Sequence, residues 1–282
     1  MKYWQTSRRK LPFDHPLVMG ILNTTPDSFS DGGRFDSIDP ALRRAEEMIG
    51  EGVDIIDVGG ESTRPGSERI SPRVEIDRVV PVIEAIAKKF DIAISIDTTR
   101  SEVAEAAIVA GAEIINDISG LRFDERIAEV AAKNKSGLIL IHSRGSFETM
   151  HSQPAVADIV ADVAADFYRS ISAAKPTGIK GEQIVIDVGI GFGKTSQQNV
   201  ELIGKLGRLI AKFPEYPILV GASRKSFIGK LLEIPSASDR LNGSLAAAAI
   251  AAWNGAKVLR VHDVRETVEV VKMVSAFART RN

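Results

Sequence analysis

A series of polar side chains closes successive apolar runs of this sequence: Asn23, Asp57, Asp97, Asn116, His142, Asp187, Lys225, and Arg260 with His262. Taken singly, an Asn or Asp in that place is a turn former or helix cap, and a Lys is a solvated charge. Their recurrence at run after run points to one functional face. The carboxylates and amides of Asp97, Asn116 and Asp187 can pair with a flat heterocycle that shows both N–H donors and carbonyl or ring-nitrogen acceptors. Arg64, Arg260 and His262, with the hydroxyl of Thr63, suit a phosphate or diphosphate. Together they describe a site for a polar aromatic ring carrying an anionic tail.

Such residues converge only if the elements bearing them converge. The apolar runs are VMGILN ending at Asn23, VDIIDVGG ending at Gly60, IAISIDTT ending at Thr99 and AEIINDIS ending at Ser119. They continue with GLILIHS ending at Ser143, QIVIDVGIG ending at Gly191, YPILVGAS ending at Ser223 and AKVLRVHD ending at Asp263. Near-continuous apolarity is what a strand buried on both faces requires, so the strands are parallel. Amphipathic helix patterns lie between them: Asp39 to about Gly52, Ser71 to about Phe90, Ser101–Gly111 and Asp124 to about Lys135. The later ones run from about Val156 to Ala174, Gln197 to Phe213, Asp239 to Asn254 and Arg265 to Ala278. Asp39-Pro40 and Ser71-Pro72 each read as an N-cap followed by Pro at the first helical position. Eight βα repeats imply an α/β fold of the TIM type, a (β/α)8 barrel with its active site at the carboxyl ends of the strands. The barrel proper spans about 17–280. No Gly/Ser or Pro tract divides the chain, so 1–282 reads as a single domain.

The totals exclude several functions. With 36 Lys+Arg against 37 Asp+Glu, no overall field favours nucleic acid or an anionic membrane. The absence of Cys excludes disulfides, zinc-thiolate sites and thiol nucleophiles. The start MKYWQTSRRKLPFDHP is polar and basic with no apolar run behind it, and the Ala-rich stretch Ser244–Trp253 is too short to span a bilayer. A cytosolic protein is the expectation.

Two connections are long and rich in Gly, Ser, Thr, Pro and Asp: NTTPDSFSDGGRFDS after the first strand and GESTRPGSERIS after the second. Both leave the active face of a barrel, and loops of this composition are lid candidates. The runs MGILNTTPDSFSDGG (19–33) and DVGGESTRPG (57–66) within and beside them resemble the two signature segments of the dihydropteroate synthase family of pterin-binding enzymes. The resemblance continues through SIDTT (95–99), IINDISG (114–120), GFGK (191–194), VGASRKSFIG (220–229) and RVHDV (260–264), in order along essentially the whole chain.

That resemblance implies a pterin pocket of Asp97, Asn116, Ile141, Asp187 and Lys225, with Arg260 over the ring. It implies a diphosphate site of Asn23, Thr63, Arg64, Arg260 and His262, in which Asn23 is a ligand of Mg2+. It places p-aminobenzoate against Phe29, Thr63, Arg64, Pro65, Phe192 and Ser226. Catalysis would fall to Asp97, Lys225, Asp31 and Arg64. The implied reaction loses pyrophosphate from a pterin's exocyclic methylene, and the neutral amine of p-aminobenzoate captures the resulting cation. A homodimer is also implied, and the family that the chain resembles is a sulfonamide target.

Departures and rivals accompany the match. Where many family members read DPGFGFGK, this chain reads DVGIGFGK, and LIHSRG ends the fifth strand without the usual flanking Met. Val188, Ile190 and Ser143 are therefore expected to alter the apolar wall of the aminobenzoate site. The rival readings are a Schiff-base aldolase using Lys225, a pterin-dependent methyltransferase, and a paralogue that binds pterin without turnover.

Overall fold

The computed structural model describes residues 2–25, 38–63 and 66–281. Two three-residue strands, β1 (Tyr3–Gln5) and β2 (Lys10–Pro12), pair antiparallel ahead of the first apolar run. The eight runs then form β3 (Leu17–Asn23), β4 (Ile55–Gly59), β5 (Ala93–Asp97), β6 (Ile114–Asp117), β7 (Gly137–Ile141), β8 (Ile184–Asp187), β9 (Ile218–Val220) and β10 (Val258–Val261). They are parallel throughout and close in the order β10-β3-β4-β5-β6-β7-β8-β9, the expected barrel.

Period-two alternation explains why every run is apolar on both faces. Met19, Ile55, Ala93, Ile114, Ile139, Val185, Leu219 and Val258 meet inside the barrel. Their neighbours, among them Val18, Ile56, Val58, Ile94, Ile96 and Ile186, pack outward against the helices. The floor of the barrel is sealed by the hairpin. Trp4 is fully buried within the inner cluster, and its indole Nε1 donates to the Gln183 carbonyl at 2.8 Å. Gly137 keeps this seal close, because a Cβ there would stand 3.1 Å from the indole. The turn is fixed to the barrel wall by the fully buried Glu113, which accepts from Thr6 Oγ1 at 2.6 Å and from Arg9 Nε at 3.0 Å.

The helices are α1 (Ile38–Glu51), α2 (Pro72–Lys89), α3 (Ser101–Ala110), α4 (Arg126–Asn134), α5 (Ile159–Ala174), α6 (Ser196–Gly204), α7 (Leu206–Lys212), α8 (Ser226–Leu232), α9 (Leu241–Trp253) and α10 (Val264–Ala278). Ser71 caps α2 as expected, accepting from Val74 N, with Pro72 at the first position. Asp39 lies inside the first turn of α1 and not ahead of it.

Three features depart from the sequence reading. The helix expected from Gln197 to Phe213 breaks at Lys205, whose backbone leaves helical values between Gly204 and Gly207, two weak helix formers. Two-turn α8, with Gly229 inside it, was not expected at all. Nor was the hairpin, whose three-residue strands are too short to show a pattern. No helix among the described residues is long and apolar enough to cross a membrane.

Candidate active site

Strand register brings the expected residues together at the carboxyl mouth. Asn23 pairs with Gly59, Gly59 with Asp97, and Asp97 with Asn116, so four neighbouring strands deliver one row. Gly59 leaves room in that row: a Cβ there would lie 3.6 Å from Asp97 Cβ and 3.8 Å from Asn23 Oδ1. One layer below, Asp57 points into the barrel and is fully buried. Arg260 binds across, its Nε donating to Asp57 Oδ2 and its NH2 to Asp97 Oδ2, each at 2.6 Å. Asn116 Nδ2 donates to the same Asp57 oxygen at 3.2 Å.

One guanidinium between two carboxylates leaves a net negative floor. Burial pushes Asp97 up to about 7; Arg260 opposes the rise and Asp57 adds to it. Arg260 stays protonated despite burial because Asp57 and Asp97 hold its charge. Asp57 Oδ1 and Asn116 Oδ1 are buried acceptors with no hydrogen-bond partner among the described residues. Each such atom costs about 1–3 kcal/mol if nothing satisfies it, which a ligand rich in N–H donors would recover. Arg260, expected to lie over the pterin ring and to help hold the diphosphate, has its Nε and Nη2 engaged by Asp57 and Asp97.

The opposite side of the mouth comes from β8 and the connections after β8 and β9. Asp187 accepts from Gly189 N at 2.7 Å, and burial raises its carboxyl while Lys225 opposes the rise. Lys225 Nζ donates to the Ile190 carbonyl and lies 4.3 Å from the centre of the Phe192 ring. Burial lowers Lys225 to about 8, with Asp187 working the other way, so it remains mostly an ammonium at neutral pH. The turn 188–194 needs its glycines here. Gly189 has φ +64, and a Cβ would fall 1.8 Å from the His142 carbonyl oxygen. Ile141, expected in the pterin wall, is buried on the inner face directly beneath that turn.

Lys194 sits at the centre of the same turn. Its Nζ is 2.7 Å from His142 Nδ1 and donates to the carbonyls of Gly189 at 2.7 Å, Phe192 at 3.0 Å and His142 at 3.3 Å. His142 Nε2 is 3.2 Å from Asp162 Oδ2, close but off the line of a good hydrogen bond. Burial and then the Lys194 charge lower His142 to about 4, so the ring is neutral.

The remaining expected residues occupy the rim. His262 Nδ1 lies 3.1 Å from Ser223 Oγ, and Ser226 is exposed at the start of α8. The Thr63 carbonyl is 2.7 Å from His151 Nε2. Phe29, Asp31, Arg64 and Pro65 lie outside the described residues. Among the described residues no group of three or more His, Asp or Glu is gathered to hold a metal ion. The amide oxygen of Asn23 beside Asp97 is a neutral hard donor, which fits a Mg2+ ion that keeps most of its ligands as water and diphosphate oxygens.

One expectation is corrected. Val188 and Ile190 are fully buried in the outer core between barrel and helices, so their side chains do not form an aminobenzoate wall. Only the Ile190 carbonyl reaches the site. Ser143 is also buried, donating to the Ile118 carbonyl at 2.7 Å. Two residues gain a place that the sequence reading does not give them. Asp57, two residues from both Ile55 and Gly59, lies on the inner face and takes Arg260 and Asn116. Lys194, the last residue of GFGK, holds the turn through its carbonyls.

The chain has close counterparts in sequence and fold. Residues 19–262 match the model of the family described as pterin binding enzyme. The chain is 47% identical over 268 residues to the dihydropteroate synthase of Escherichia coli strain K12, covering 94% of this chain and 93% of that one. A structure of the Yersinia pestis dihydropteroate synthase in a sulfonamide drug complex is similar at TM-score 0.91 and 42% identity, covering 98% of this chain and 99% of that one. The Xanthomonas albilineans dihydropteroate synthase with 4-aminobenzoic acid superposes at TM-score 0.91 and 38% identity, with 98% of each chain covered. With the family model matched over residues 19–262 and this identity over nearly the whole length, the chain belongs to the pterin binding enzyme family, among its dihydropteroate synthases.

Proposed function

We propose that this chain joins a pterin diphosphate to p-aminobenzoate and releases pyrophosphate. The observation that carries this reading is the Arg260 bridge between Asp57 and Asp97 beside Asn116, facing Asp187 and Lys225 across the barrel mouth. A carboxylate such as Asp187 accepts the two adjacent N–H groups of an aminopyrimidinone, and Lys225 donates to the ring's carbonyl or nitrogen. Asp97 supports positive charge as it spreads into the ring, which lowers the barrier most if the charge is larger in the transition state than in the bound substrate. The carbon–oxygen bond to the diphosphate breaks, a carbon–nitrogen bond forms to the amine, and the amine's proton leaves to solvent or a base. No nucleophilic side chain is required. His262 and the Asn23 amide lie at the rim where the leaving group departs. Mg2+ held by Asn23 would supply positive charge to the leaving pyrophosphate.

The test is pyrophosphate release measured with both substrates, with each alone, without Mg2+, and with a sulfonamide. Release that requires both substrates and Mg2+ and falls with sulfonamide supports the proposal. Borohydride inactivation with a carbonyl substrate would favour the aldolase reading. Binding of pterin without release would favour the paralogue reading.

A homodimer is part of the same proposal. Between α9 and α10 lies a groove of about 620 Å3 lined by Leu245, Ile250, Trp253, Met273 and Phe277. Met273 and Phe277 are each 57% exposed, an arrangement that a second copy would cover. Sedimentation of the Phe277→Glu variant as a monomer beside a dimeric parent would support it.

A further inference from the structure

We propose that His151 is a positioning residue that latches the connection following β4 onto the aminobenzoate side of the site and so sets affinity for the amine substrate. The inference rests on the functional reading above, together with the placing of Thr63 and Phe192 beside p-aminobenzoate that the family resemblance implies.

The connection after β7, residues 142–158, is anchored from below by Phe147 and Met150, both buried in the barrel's inner cluster. Its position over the mouth is therefore set by packing. From this anchored segment His151 reaches two other connections. Its Nε2 is 2.7 Å from the Thr63 carbonyl, an oxygen that can only accept, so Nε2 carries the hydrogen. Its ring lies against Phe192, with centroids 5.8 Å apart and planes tilted by 41°. Phe192 in turn lies against the Lys225 ammonium.

A second tie joins the same two connections. Arg69 stacks on Phe147 at 4.7 Å and donates to Thr99 Oγ1 at 2.9 Å, fixing the far end of the segment that carries Thr63. Arg69 and His151 thus hold two described points of that connection, Arg69 itself and Thr63. His151 links the Thr63 carbonyl, the Phe192 ring and, through that ring, the Lys225 amine. The donor and the ring make separable contributions, which substitutions can divide.

The experiment compares His151→Gln, which keeps an N–H donor, His151→Phe, which keeps a ring, and His151→Ala in the full chain. KM for each substrate, kcat and thermal midpoint are measured. Loss of the donor in His151→Phe and His151→Ala is expected to raise KM for p-aminobenzoate about five- to tenfold, the scale of one hydrogen bond, with KM for pterin diphosphate within about twofold. His151→Gln should recover most of that loss. An unchanged aminobenzoate KM in His151→Phe, or a parallel rise in both KM values, overturns the proposal. Limited proteolysis within 60–71 by a broad-specificity protease gives a readout independent of turnover: it should be faster in His151→Phe than in the parent, and equal rates also overturn the latch. A parent that releases no pyrophosphate would sink the functional reading and still leave the cleavage comparison to decide the latch.

Discussion

The amine of Lys194 lies 2.7 Å from Nδ1 of His142, and this pair fixes the turn that carries Phe192 to the end of β7. Burial pushes that amine well below the usual lysine value, with Asp187 opposing the fall. The carbonyls of Gly189, Phe192 and His142 all accept from Nζ, so its hydrogens are engaged as donors, and His142 presents Nδ1 as an acceptor with its proton on Nε2, toward Asp162.

Replacing Lys194 with Met keeps the stem and removes the donors, so the Phe192 carbonyl loses this partner while the Gly189 carbonyl keeps only the Phe192 N–H. A loss of about 3 kcal/mol in unfolding free energy is expected, the scale of breaking a buried charged network. The Lys194 charge also holds His142 down, so its titration, followed by NMR of the imidazole proton, should move upward from about 4 in the variant.

At Asp57 the effect should appear in the chemistry. Asp57 raises Asp97 by like charge and shares Arg260 with it. Asp57→Asn removes that repulsion, so the acid limb of the pH–rate profile should shift below about 7 while kcat falls, because Arg260 loses one of its two charged anchors. An acid limb left at its parental position would argue against Asp97 as its origin.

Two groups define an expected activity window. Asp97, raised to about 7, loses its carboxylate as pH falls through that value, and Lys225, lowered to about 8, loses its ammonium as pH rises through that one. The rate should therefore be greatest between them and decline on both sides. Stability follows a different rule. Between the ordinary carboxylate value of 3.8 and about 7 the folded state binds more proton at Asp97 than the unfolded chain does, so this group's contribution falls as pH rises across that interval. For Lys225 the unfolded chain holds the proton longer, so its contribution rises with pH between about 8 and 10.5. Urea denaturation at stepped pH, comparing the parent with Asp97→Asn and Lys225→Met, isolates both.

Trp4→Ala should cost about 3–5 kcal/mol by leaving a cavity under the barrel and an unpaired Gln183 carbonyl. Because the hairpin seals the end opposite the mouth, KM for both substrates should stay near parental values below the lowered melting temperature. Denaturant melts and steady-state kinetics on the same preparation provide the check.

The barrel was legible in the sequence because a strand buried on both faces leaves an unbroken apolar run, and eight such runs with helices between them admit few other closures. Polar closers at the ends of those runs marked the mouth for the same reason. What escaped was whatever depends on contacts far apart in sequence. Nothing local tells that Arg260 is shared by Asp57 and Asp97, or that Lys194 is surrounded by carbonyls. Val188 and Ile190 were misplaced because the outward or inward sense of a turn residue depends on the path of the backbone through Gly189 and Gly191. The break at Lys205 is a choice between one long helix and two short ones, set by packing against neighbours.

The hairpin that seals the barrel floor also orders events in time. Trp4 completes its contacts only with Gln183, 179 positions later, and Thr6 only with Glu113, 107 positions later. During synthesis this segment waits, its large indole without a home, until β8 has been made. Seating the plug is thus a late step with a large loop to close, and an exposed Trp4 marks chains in which the barrel has yet to shut. Its fluorescence, in a chain where Trp253 has been replaced by Phe, would report closure directly.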